Sequence, residues 1–462
     1  MATKPFHRAA PDPVFEAQIL KKVGRRLMPI LLLGLFISYM DRANLGVLAA
    51  PMSKDLGLTA SAFGLSAGLF YIGYLAFEIP SNIAMVKFGA RIWFARIMVS
   101  WGVVVVLMAL IPNEITLQIL RILLGVAEAG FYPGVLLYLT FWYPQRVVGK
   151  AFSLLQVGIP ISLALSSAIT SALLLLEGLG GIAGWRWAFV LQGLPAVILG
   201  IYIFFVLPKK PADAKWLDDR EKAYLQSQVA VEEGASGHGA KDLAKILVRP
   251  IAWVFSILYF CLVIGFWSLT YFLPQIVGQK FQVGPVQAGL ISALPWVFTA
   301  FCVLFVMWNV ARTGDRRWHM LICLLLAAIG LLTAAYTGNA VIALIGLSFG
   351  AAGMQSVSPV FWTMPASVFV GASAAIAIAM INSLGNISGL IGPWVLGVLQ
   401  DATQSAQTGL AIMAGFFVIA AVMSFIMSTY TDRLVARTRG EGRAADASDS
   451  EFPADASTVV PR

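Results

Sequence analysis

LLLGLFISYMDRANLGVL, residues 31–48, carries an acid and a base in the middle of an apolar run. LQILRILLGVAEAGFYPGVLLYL, residues 117–139, does the same with Arg121 and Glu128. Runs of this kind read as membrane-crossing helices, each needing about 20 apolar residues. A charge at bilayer depth costs at least about 3 kcal/mol, so such residues are rare and line a cavity or an ion path. Asp41, Arg42, Arg121 and Glu128 all fall in the first half of the chain. The apolar runs of the second half hold no Asp, Glu, Lys or Arg. The asymmetry points to a half that handles protons and anions, joined to a largely uncharged half.

The composition agrees. Of 462 residues, 59% are hydrophobic and 12% charged, whereas a soluble domain carries a charged share of about 25%. Twelve runs are long enough to span. They lie near 27–50, 61–86, 92–111, 116–141, 150–175, 186–207, 250–277, 287–310, 318–337, 339–366, 373–399 and 408–430. The expected fold is an all-α membrane protein with twelve transmembrane helices in two six-helix bundles. Most of the 32 Lys and Arg lie in the tails and in alternate loops. That positive-inside pattern puts both termini in the cytoplasm. It also explains the net charge of +9 by topology and by contact with anionic lipids, not by nucleic acid. The first run follows Lys21, Lys22, Arg25 and Arg26 but is too long for a signal peptide, so it is expected to stay in the mature protein.

Residues 208–249 are polar and divide the spans six and six, with a short helix expected near Leu217–Val229. The expected parts are a cytoplasmic N-terminal segment (1–26), a first bundle (27–207), the central loop (208–249), a second bundle (250–430) and a disordered cytoplasmic tail (431–462). The halves echo each other. KFGAR at 87–91 follows the second span, and RTGDR at 312–316 follows the eighth. Lys87, Arg91, Arg312 and Arg316 are therefore candidate gating-loop residues. Two repeats about an axis along the membrane normal place a substrate site between them, near the midplane.

Other chemistry finds little support. Cys261, Cys302 and Cys323 have no paired external spacing. His7, His238 and His319 lack zinc-ligand spacing, and no Walker lysine loop occurs. No enzyme activity, metal or cofactor is expected.

Arg121 and Glu128 return to nearly one helix face, about 10 Å apart along the axis. Gly125 lies between them, where a missing side chain leaves room for a partner or substrate. An ionised Asp41 or Glu128 is expected to hold a nearby arginine. Protonating the acid frees the guanidinium for a carboxylate in bidentate geometry. The alternative is that these four residues only hold the bundle together. Tyr71, Tyr74 and Glu78 share a face of the second span, and Tyr39 stands two residues before Asp41. For Glu78, beside Pro80, a structural role is favoured. In the second half the polar candidates are Tyr271, Trp362 and the Asn382/Asn386 pair; Gln156 adds one in the fifth span. Buried amides and hydroxyls need partners and can offer them to a substrate.

Several segments together resemble the major facilitator superfamily and, within it, the anion:cation symporter family. They are YMDRAN at 39–44, EIPSN at 78–82, RILLGVAE at 121–128, FYPG at 131–134, GWRW at 184–187, FWTMP at 361–365 and Asn382 to Pro393. The resemblance covers about 20–430. It implies a proton-coupled symporter for a small organic anion in the bacterial inner membrane, working as a monomer. It implies Asp41 and Glu128 as proton-linked carboxylates, and Arg42 as the binder or gate of the substrate carboxylate. Arg121 matches a fourth-helix arginine whose role varies between substrate contact and structural pairing, while Tyr74, Gln156, Asn382 and Asn386 match cavity positions. Val86 and Ala311 stand where the superfamily's loop motif normally has an acid, so the charge lock on that side is expected to be weaker or built otherwise. The readings carried beside this one are an exchanger or uniporter without obligatory protons, and a membrane sensor that binds the acid without moving it.

Overall fold

A computed structural model describes residues 13–229, 248–369 and 372–449. Twelve helices are long and apolar enough to cross a membrane. Spans 1 to 6 are Pro13–Leu56, Ala60–Phe88, Ala90–Met108, Glu114–Thr140, Arg146–Leu176 and Gly184–Val206. Spans 7 to 12 are Pro250–Phe281, Pro285–Thr313, Arg317–Tyr336, Ala340–Val368, Ile376–Thr403 and Gln407–Leu434. An even number of crossings puts both ends of the chain on one face, called here the terminal face. The turns after spans 1, 3, 5, 7, 9 and 11 lie on the opposite, far face.

Glycine lets the helices touch. In span 3, a Cβ on Gly102 would stand 2.8 Å from the Gly193 carbonyl of span 6. In spans 9 and 10, Gly330 and Gly346 face each other's carbonyls in the same way. Without a hydrophobic drive between helices in lipid, close backbone packing of this kind holds a bundle together. The echo between the halves has a backbone counterpart. Gly89 (φ 86°) ends span 2 and Gly314 (φ 69°) ends span 8, both in a region that favours glycine.

Three expectations need correction. Span 1 starts at Pro13, not near 27. Its added turns bury Glu16, Ile19 and Val23 while Lys21, Arg25 and Arg26 face outward. Those turns dock the central-loop helix, Asp219–Val229. Lys22 pairs with Glu221 at 2.7 Å, and Tyr224 donates to Glu16 at 2.6 Å. Arg146, at the start of span 5, also pairs with Glu16. At the other end, the last helix continues to Asp449, so 431–449 is helical where disorder is expected. Its Ala, Arg and Glu are strong helix formers. Residues 450–462 and 230–247 lie outside the described residues.

The third correction concerns continuity. Span 4 breaks after Glu128, and a second helix runs Phe131–Thr140.

Candidate functional site

The break in span 4 positions the first acid. Ala129 leaves the helix, and Gly130 takes a left-handed conformation (φ 82°). Ser81 of span 2 donates to the buried Ala129 carbonyl at 2.6 Å. A Cβ on Gly130 would meet the Ser81 Cβ at 2.6 Å. Gly130→Ala is therefore expected to cost about 2 kcal/mol through strain and crowding, read as a lower melting temperature in detergent. An unchanged melting temperature would show that the break is not needed.

Glu128 ends the first half of this helix, fully buried. Its Oε1 accepts from Arg42 Nε at 2.9 Å, Arg42 Nη2 at 2.7 Å and Ser38 Oγ at 2.5 Å. Arg42 is 6% exposed. Four rings surround its guanidinium: Phe70 at 5.0 Å, Tyr74 at 5.1 Å, Tyr39 at 5.6 Å and Trp267 at 5.6 Å. Each cation–π contact is worth about 0.5–2 kcal/mol. Trp267 belongs to the second half and stacks on Tyr39 at 6.4 Å. The box around Arg42 is thus assembled from both bundles.

Asp41 does not pair with an arginine. Trp101 of span 3 donates to its Oδ2 at 2.6 Å, and no ion pair to it forms among the described residues. The reason is direction: adjacent residues on a helix point about 100° apart, so Asp41 faces span 3 while Arg42 faces span 4.

Arg121 also makes no ion pair among the described residues. Its Nη2 donates to the Ala67 carbonyl at 3.0 Å and to the Tyr271 hydroxyl at 3.2 Å, and its Nε reaches the Ser66 carbonyl at 3.3 Å. Nη1 has no partner. Gly125 leaves no room for substrate. A Cβ there would stand 2.8 Å from the Tyr74 amide and close to the Phe70 carbonyl, so span 2 fills the gap.

A second cross-bundle link runs through amides. Asn382 donates to Glu78 at 3.1 Å, and Asn386 donates to Asn382 at 3.0 Å. Glu78 is 7% exposed. Tyr71 packs against Trp267 at 5.2 Å, and a Cβ on Gly389 of span 11 would press on its ring. Gln156 accepts from Tyr132 at 3.3 Å. Trp362 packs edge-on to Tyr259 at 4.9 Å. Among the described residues the loop cations do not bridge the halves. Lys87 lies over Phe88, Arg91 over Phe204 and Arg312 over Trp308, while Arg316 pairs with Asp432.

Sequence reasoning missed Ser38, Phe70, Trp101 and Trp267, which look like packing residues in any apolar run. It also did not single out Arg96, although the third run contains it. Arg96 stands in span 3 over Trp93 at 4.5 Å and reaches the Ala127 carbonyl at 3.5 Å.

Two bundles with a charged, aromatic-lined centre can be tested against known proteins. The family model of the Major Facilitator Superfamily matches residues 31–393 and 255–451. The chain belongs to the major facilitator superfamily. It is 39% identical over 424 residues to a proposed tartrate transporter of Agrobacterium vitis, covering 91% of this chain and 93% of that one. It is 34% identical over 432 residues to a quinolone resistance transporter of Acinetobacter baumannii, with 92% and 98% covered. Among solved structures it is similar to a bacterial homolog of the human lysosomal transporter Spinster, in an inward-facing and unoccupied conformation. The TM-score is 0.73 at 16% identity, covering 92% of this chain and 99% of that one. This major facilitator protein is a multi-pass membrane transporter, as its family and relatives are.

Proposed function

We propose that this transporter imports a small organic anion with protons across the bacterial inner membrane, by alternating access. The pair between Arg42 and Glu128 carries the reading. An ionised Glu128 occupies two donors of the guanidinium. Once Glu128 is protonated, that fork is free to take a substrate carboxylate. The aromatic box suits either the flat face of an aromatic acid or the carbon skeleton of a hydroxy acid. The tartrate relatives favour a hydroxylated acid, to whose hydroxyls Tyr74, Gln156, Asn382 and Asn386 would bond. Asp41, held by Trp101, is a second proton site. Arg121 is a second anion donor, available when its bond to Tyr271 opens.

We place both termini and the 208–249 loop in the cytoplasm on the distribution of basic residues. With the helix bounds corrected above, the first bundle is Pro13–Val206 and the second Pro250–Leu434. The protein is expected to work as a monomer.

The decisive experiment uses purified protein in proteoliposomes with an inward proton gradient and a panel of tartrate-like, sugar and aromatic acids. Accumulation that tracks the gradient, with alkalinisation outside, is the expected result. Uptake that leaves external pH unmoved would replace the symporter by an exchanger or uniporter. Binding without uptake of any acid would make it a sensor.

Asn382→Ala tests the amide link. It strands Glu78 without its partner, so a stability loss of about 1–3 kcal/mol is expected. The double variant with Glu78→Gln should recover part of it. Competition uptake with hydroxylated and deoxy acids should show a changed preference in Asn386→Ala. An unchanged rank order would assign Asn386 to packing.

A further inference from the structure

Several helix pairs close the far face: span 1 meets span 7 at Gly46, spans 1 and 5 meet span 8 at Gly289, and span 2 meets span 11, whose outer end is held by a carboxylate. Span 2 starts at Ala60 on that face. The first amides of any helix lack partners within it. Here the Ala60 amide donates to Asp401 Oδ1 at 3.0 Å and the Ser61 amide to Asp401 Oδ2 at 2.8 Å. Asp401 stands at the far end of span 11, in the other half of the molecule. Thr59, the N-cap, accepts from the Ala62 amide at 3.1 Å, so the end of span 2 is capped from both sides.

Below this contact the two backbones touch without side chains between them. A Cβ on Gly397 would meet the Ala60 carbonyl carbon at 2.7 Å. One on Gly64 would meet the Pro393 carbonyl carbon at 2.8 Å, and one on Gly68 the Leu390 Cα at 2.9 Å. Toward the terminal face the same helix pair is joined through long side chains, Asn382 to Glu78. Asp401 is half-buried and borders a cleft of about 320 Å³ open to the far side, lined also by Ser53, Thr59, Gln275 and Gln400.

We propose that Asp401 is the latch of the far gate. Its carboxylate grips the positive end of span 2 when the far face is closed, and the grip must break for the site to open there. The attraction combines two charge-assisted hydrogen bonds with the helix dipole. It biases the carrier toward the state closed on the far face. The Gly64, Gly68 and Gly397 seam lets the helices come close enough for the bonds to form. The inference rests on alternating access, not on which acid is carried or on proton coupling.

Labelling a buried cysteine tests it. Val47 is 2% exposed and packs against the span 8 backbone at Gly289. In a cysteine-free background with Val47→Cys, a membrane-impermeant maleimide is added from the far face. Asp401→Asn is expected to raise the labelling rate roughly five- to thirtyfold. Ala60→Pro removes one donor at a position where proline is tolerated, leaves Asp401 in place, and is expected to raise it by a smaller factor. A control cysteine at Ala334, buried inside span 9, should stay unlabelled. Equal labelling in both variants and the parent would overturn the latch. So would labelling that rises equally at Ala334→Cys, since that reports unfolding and not opening. A lower melting temperature with unchanged Val47→Cys labelling would make Asp401 a helix cap only, and would also overturn it.

Discussion

Arg42→Lys is expected to weaken substrate binding roughly ten- to a hundredfold while keeping the charge. The guanidinium offers Nε and Nη2 side by side, both on Glu128 Oε1 at 2.9 and 2.7 Å. A lysine ammonium has no such planar fork. It would also sit differently among the Phe70, Tyr74, Tyr39 and Trp267 rings. The companion variant, Glu128→Gln, keeps an acceptor for Arg42 but cannot change charge. Proton-driven accumulation is expected to vanish, with counterflow of substrate retained. Titration calorimetry and proteoliposome uptake read the two. An affinity within about twofold for Arg42→Lys, or full accumulation by Glu128→Gln, would remove that residue from the mechanism.

Arg121→Met separates stability from transport. Arg121 is fully buried and is balanced by the Ser66 and Ala67 carbonyls and the Tyr271 hydroxyl, with no acid paired to it among the described residues. Burying an ion costs several kcal/mol, and replacing it by an apolar side chain of similar length is often neutral or stabilising. The Tyr271 hydroxyl loses a partner, at about 1–3 kcal/mol. The melting temperature is therefore expected to stay or rise, while uptake of the anion falls by two orders of magnitude or more, on the order of 3 kcal/mol. Arg121→Ala, which adds a cavity, should lower the melting temperature as well. Uptake by Arg121→Met above about a tenth of the parent, a loss under 1.4 kcal/mol, would make Arg121 a structural residue.

Asp41, Arg42, Arg121 and Glu128 were legible because apolar runs give no cover to an ionised side chain. Their partners were not. Arg121 and Glu128 share a helix face, yet the structure turns one to Tyr271 and the other to Arg42. Asp41 and Arg42 are adjacent, yet they serve different neighbours. Which helix stands opposite a given face is set by close packing across the bundle. Gly125 shows the limit well: its missing side chain offers room to a partner or a substrate alike, and only packing gives that room to span 2. Aromatic partners such as Trp101 and Trp267 carry no local signal, since an indole in a membrane helix is ordinary packing or interface. The break at Gly130 needed the structure because one glycine in a helical run is compatible with an unbroken helix. The ends of the long first and last helices fell beyond the apolar runs, in amphipathic and Ala-rich sequence that hydropathy does not mark.

The indoles at the site have one more consequence. Trp267, 4% exposed, lies 5.6 Å from the Arg42 guanidinium, and Trp101, fully buried, donates to Asp41. The emission colour of an indole follows the electric field along its ring. A guanidinium that moves off Trp267 changes that field, and so does a proton that lands on Asp41. The chain has 13 Trp, so the intrinsic signal is mixed. A variant that keeps Trp267 alone would turn the carrier into its own optical gauge of the central charge, read without any attached dye.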